Sequence, residues 1–182
     1  MQSFEQVVDW LATALAVLGG VVLLAAAVVV CVSVTGRALP GVPSMVGDFE
    51  LVEMAAAIAV FSFLPRCQLS AGQVSVDVLT EQMPRGVHAA FGLLGHLLLT
   101  AVSAVLLWRM WLGFGEKFPF GSETARALLG LGQPPYFTET TYELLIPVWI
   151  AHAACLPGAI LLVPAGAVAV LRAGRAMGEA RT

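Results

Sequence analysis

The sequence predicts an all-α membrane protein with four transmembrane helices. Between the second and third it predicts either a short interfacial helix or a plain connecting loop. Two observations carry this. Of 182 residues, 59% are hydrophobic and only 12% charged, where a soluble domain has about 25% charged. Four apolar runs are each long enough to cross a bilayer, which takes roughly 20 helical residues. Little chain remains outside, so residues 1–182 read as a single transmembrane domain. The net charge is −3 and no basic stripe is present, so the lipid bilayer is an expected partner and nucleic acid is not.

The first helix is expected over 11–34, with Trp10 as its interfacial anchor. The segment ahead of it, Met1-Gln2-Ser3-Phe4-Glu5, lacks the positive n-region of a secretory signal, so the run is expected to be retained. Ala16 and Gly20 put small residues on one face, where a neighbouring helix can approach closely, unless small residues are merely common here. Gly36-Arg37 ends the helix, and Pro40-Gly41 and Pro43-Ser44 make a turn-rich link.

The second helix is expected over 49–67. Asp48 and Glu50 fall in its first turn, where the helix dipole favours negative charge, and Glu53 follows near the same face. Pro65 is expected to kink or stop it. Beyond, Val74, Val78 and Leu79 share one side while Asp77, Glu81 and Gln82 share another. That pattern fits a short amphipathic helix at the membrane surface as well as a plain loop.

The third helix is expected over 86–108, closed by a Trp108 and Trp111 belt. A long outer link follows over 109–143, in which Ser122 to Leu129 reads as one or two capped helical turns. Structureless links of this length are often functional. The fourth helix is expected over 144–171, with Pro147 near its start and bends at Pro157-Gly158 and Pro164.

Lysines and arginines set the orientation. Arg66, Arg85, Arg172, Arg175 and Arg181 share the side of the termini; Arg37, Arg109, Lys117 and Arg126 lie opposite. With the long link discounted, both termini are expected in the cytoplasm, which puts Glu50 and Glu53 at the outer end of the second helix. Glu50 is then expected to be held by a cation, Arg37 at the facing end of the first helix, rather than left as a separately solvated charge.

No catalytic constellation is present: no HExxH, GxSxG, P-loop or GxGxxG. Cys31, Cys67 and Cys155 form no CxxC and read as apolar space-fillers, so no metal site is expected. His88 and His96 share a helix. His96 and His152 differ in depth by roughly 15 Å at 1.5 Å per residue, too far to clamp one haem, so no cofactor is expected. The few charges sit at helix ends rather than at the midplane where transport sites lie, and no internal repeat relates the two halves. These features describe an accessory or scaffold subunit beside a larger membrane partner. A small channel or a membrane anchor for a redox enzyme complex is the alternative.

Several stretches add to this. Arg37, then Gly47-Asp48-Phe49-Glu50-Leu51-Val52-Glu53, Phe63-Leu64-Pro65-Arg66-Cys67-Gln68 and Gly72-Gln73-Val74-Ser75-Val76-Asp77 resemble the small permease subunit of TRAP transporters. Ile146-Pro147-Val148-Trp149 and Leu156-Pro157-Gly158 do too. The resemblance implies a four-helix, non-enzymatic subunit of the bacterial inner membrane. Its implied partners are a large permease and a periplasmic solute-binding protein, in symport of a solute of the organic-acid class. It makes Arg37, Glu50, Glu53 and Asp77 the candidate structural or partner-contact residues. Two departures stand out: Gln73 replaces a frequent family histidine, and the link around Gly130 to Thr141 is longer than usual.

Overall fold

A computed structural model describes residues 2–39, 46–70 and 85–179. Asp77, Gln73 and the stretch read as an interfacial helix or loop lie outside the described residues. Among those described, the chain is all-helical. Its five helices are α1 (Gln2–Ala38), α2 (Asp48–Leu69), α3 (Arg85–Lys117), α4 (Glu123–Leu129) and α5 (Val148–Glu179). Apolar backbone in lipid must satisfy its own hydrogen bonds, and the helix does so within one segment.

Among the described residues, three helices are long and apolar enough to cross a membrane: Ser3–Ala38 in α1, Ala90–Lys117 in α3 and Val148–Arg175 in α5. α2 is shorter, 22 residues, and carries Asp48, Glu50, Glu53 and Arg66. Several boundaries depart from the sequence expectations. α1 and α3 extend well past theirs, so Trp108 lies inside α3 and the link begins only after Lys117. Pro65 does not stop α2, which runs on to Leu69. Near the last turn a proline costs little helix beyond it. α5 starts at Val148, not at residue 144, because the preceding residues are taken into a hairpin.

α1, α2 and α5 close on one another, and α3 packs on α5 at the edge of that group. α5 packs on α3 and α2, α2 packs on α1, and α1 reaches α5 more lightly. α5 is accordingly the most buried, while α1 and α3 at the edges expose most of their apolar surface. Close approach at each seam rests on a glycine. A Cβ on Gly19 would lie 2.7 Å from Ser62 Cβ, one on Gly158 2.1 Å from the Phe61 carbonyl oxygen, and one on Gly166 2.6 Å from Thr100 Oγ1. Small residues at such crossings are the means by which membrane helices gain packing. The close face of α1 is not the expected Ala16–Gly20 pair, since Gly20 faces open space. It is the seven-residue series Ala12, Gly19, Ala26 and Ser33, all buried, the spacing of a left-handed helix pair. Val8, Ala12, Leu69, Leu161, Ala165 and Val168 form the apolar core where α1, α2 and α5 meet.

At the polar end of that core, Arg172 and Arg175 reach Glu5 at 3.3 and 3.0 Å, and Arg66 reaches Asp9 at 2.7 Å. These pairs bring the start of α1, the end of α2 and the end of α5 together. The start of α2 and the link therefore stand at the opposite end.

Candidate functional site at the acidic end of the second helix

α2 opens with Gly47 at φ 77°, a left-handed conformation that favours glycine. A Cβ there would lie 2.4 Å from Leu144 Cγ, so the link packs directly over the helix start. Asp48 accepts hydrogen bonds from Ser33 Oγ at 2.5 Å and Arg37 Nη2 at 2.7 Å. The last turn of α1 is thereby tied to the first turn of α2, and the α2 dipole favours the acid at that position.

Glu50 does something different from what its sequence position suggested. Its Oε1 accepts from the backbone N–H groups of Tyr142 at 2.5 Å and Glu143 at 2.8 Å, and its Oε2 accepts from Leu144 N–H at 3.0 Å. The expected Arg37–Glu50 pair does not form: the guanidinium is taken by Asp48, two residues nearer the helix end. Hydrogen bonds from several N–H groups to one carboxylate are charge-assisted and strong for their kind.

The three N–H groups converge because residues 139–148 fold back as a hairpin. Thr140 bridges Pro147. Thr141 N–H donates to Ile146 O at 2.9 Å, and Val148 N–H to Glu139 O at 3.0 Å. Leu145, at φ 53°, lets the tip turn. Lys117 at the end of α3 pairs with Glu139 at the hairpin's root. The hydrogen bond and charge of Lys117 hold the Glu139 carboxyl below the usual carboxylate range.

The rest of the link is built around Arg126, 2% exposed and without a carboxylate partner among the described residues. Its Nε donates to Gly132 O; Nη1 to Phe118 O and Phe120 O; Nη2 to Gly115 O, Leu131 O and Gln133 O. α4, which carries Arg126, fulfils the expected capped turns: the Ser122 side chain accepts from Ala125 N–H, and Gly130 ends the helix at φ 65°. Trp111, expected as a belt residue, donates through Nε1 to Leu129 O at 2.9 Å. Phe114, Phe118, Phe120 and Trp149 cluster between α3 and the start of α5 with centroids 4.9–6.2 Å apart, Phe114 stacked on Phe118 and the others edge to face. The link is thus a folded cap.

Of the four sequence candidates, Arg37 and Glu50 lie at this site with separate partners. Glu53 is exposed one turn further along α2, with no partner among the described residues. Asp77 lies outside the described residues. Sequence reasoning missed the pairing role of Asp48 and the caging role of Arg126, which was counted only as a topology charge.

His96 and His152 stand far apart. A Cβ on Gly113 would lie 3.8 Å from the His152 ring, and Gly113 is 17 residues beyond His96 on α3, about 26 Å along the axis. Among the described residues no three His, Cys, Asp or Glu side chains gather as metal ligands.

Residues 26–176 match the family model described as tripartite ATP-independent periplasmic transporters, DctQ component. Comparison with curated proteins and with solved structures found no match.

Proposed function

The chain belongs to the DctQ-component family of tripartite ATP-independent periplasmic transporters, and from that premise we propose that it scaffolds a large permease during binding-protein-dependent uptake. The family is a transporter component, the small permease subunit. The observation that carries the scaffold role is the uncovered apolar surface of the outer helices. α1, α2 and α5 share one core and α3 packs on α5 at its edge, so α1 and α3 are the least buried and leave most of their apolar surface uncovered by the described helices. Three acids at the far end hold the chain's own structure: Asp48 on Arg37, Glu50 on the hairpin, Glu139 on Lys117.

In this reading α2 is the fourth span, with its charges near the two ends. The chain sits in the bacterial inner membrane with both termini in the cytoplasm and the folded link on the periplasmic side, where the solute-binding protein arrives. The solute belongs to the organic-acid class, taken up by symport through the large permease. The test is uptake by proteoliposomes with binding protein, organic acid and a sodium gradient. Vesicles holding this chain and the large permease should accumulate solute; vesicles holding this chain alone should not. Robust uptake by the chain alone overturns the scaffold role.

A further inference from the structure

The exposed residues of α2 fall on a single stripe, Phe49, Glu53, Ala57, Val60 and Cys67, at the three- and four-residue spacing of one helix face. Phe49 is 75% and Val60 53% exposed, so neither is covered by the described helices. The stripe is apolar but for one carboxylate. Glu5, Asp9, Asp48, Glu50 and Glu139 are engaged by a cation or a donor, and Glu116, Glu123 and Glu143, exposed and without a side-chain partner among the described residues, lie at the end of α3 or in the link. Glu53 has no such partner among the described residues, and it lies about 7 Å inside the start of α2 at 1.5 Å per residue.

The exposed stripes of α1 and α3 differ. Val17, Val21, Leu24 and Val28 on α1, and Leu94, Leu98, Val102 and Val105 on α3, suit lipid tails. Arg109 on α3 is exposed too, but an arginine stem is long enough to bring its head to the lipid surface. A glutamate side chain is short. A carboxylate on a lipid-facing helix is costly and ordinarily faces protein. We propose that the Phe49–Cys67 stripe of α2 is the surface on which a helix of the large permease docks, with a lysine or arginine of that helix paired to Glu53. Ala57, one turn along, leaves room for close approach. The proposal rests on the scaffold reading above and adds to it the face and the charge by which the partner is recognised.

The experiment places a photo-crosslinking residue at Ala57, and separately at Leu98, in the chain co-expressed with its large permease. Glu53→Lys and Glu53→Gln are purified by a tag on this chain. The expected result is a crosslink from position 57 to the large permease and retention of the permease cut at least tenfold by Glu53→Lys, less by Glu53→Gln. A partner lysine or arginine changed to glutamate should restore Glu53→Lys. If the native chain retains the permease but position 57 crosslinks to a second copy or to lipid, the docking face is overturned and the scaffold reading stands. If the native chain retains no permease, both fall. The crosslink is read with Glu53 in place, so it decides the matter even where Glu53→Lys fails to fold.

Discussion

Neighbouring acids on one helix turn take unlike partners because their reach differs. Asp48, at the helix start, meets the guanidinium at the end of α1; Glu50, on the next part of the turn, points at the backbone of residues 142–144. A double-mutant cycle should therefore show coupling between Arg37→Gln and Asp48→Asn and simple additivity between Arg37→Gln and Glu50→Gln. Coupling of Arg37 with Glu50 instead would return to the pairing first expected from the sequence. Glu50→Ala should speed hydrogen exchange at the Tyr142, Glu143 and Leu144 amides while leaving the middle of α2 protected, and mass spectrometry on peptides of the hairpin measures it. Arg126 is the other residue on which the cap turns. Its five N–H donors serve six carbonyls, and lysine offers only three. With one N–H per carbonyl, Arg126→Lys leaves three of the six without a donor, each costing about 1–3 kcal/mol. Rapid proteolysis between Phe118 and Glu139 is the expected readout, and an intact link would show that charge alone suffices.

At the scale of elements, the seams between helices are set by backbone proximity. Gly158→Ala drives a methyl group into the Phe61 carbonyl, and overpacking of this kind costs about 1–3 kcal/mol. Gly174→Ala, at a position with nothing within 4 Å, should be neutral or gain up to about 1 kcal/mol from helix propensity. Thermal unfolding in detergent compares the two, and equal effects would mean that the α2–α5 seam is not held at Gly158. The hairpin has a pH dependence of its own. Lys117 lowers the Glu139 carboxyl relative to the unfolded chain, so the pair's contribution is present above the ordinary glutamate range, near 4.3, and is lost as pH falls through the lower folded value. Exchange at the Val148 amide, which donates to Glu139 O, should rise only in that acid range, and Glu139→Gln should remove the step.

How much of these elements was legible follows from what holds them. Apolar runs located the helices because lipid demands unbroken helical backbone, and Ser122 and Gly130 marked α4 because caps are local. The ends of α1 and α3 were misjudged because charged residues such as Glu5, Arg109 and Lys117 look like loop in a hydropathy reading, yet remain helical where a helix emerges from the bilayer. The seven-residue series Ala12, Gly19, Ala26 and Ser33 was a readable signal for the α1 seam. The grip of Glu50 was not readable. Its partners are backbone groups more than 90 residues away, and backbone N–H groups carry no sequence identity.

For the molecule as a whole, the distance along α2 between Glu53 and Arg66 has a consequence for the bilayer around it. Those charges are 13 residues apart, about 20 Å of helix at 1.5 Å per residue, against a hydrocarbon core of about 30 Å. As the proposed fourth span, α2 is hydrophobically short. α1 between Asp9 and Arg37 and α3 between Arg85 and Arg109 run 28 and 24 residues, about 42 and 36 Å, and are long. One protein thus asks for two membrane thicknesses, and a bilayer answers such mismatch by thinning locally beside the short span. The chain by itself should be most stable in lipids with short acyl chains and lose stability steadily as the chains lengthen. With the large permease covering α2, that dependence on acyl length should flatten, and unfolding temperatures in a series of nanodiscs of increasing thickness would read both slopes.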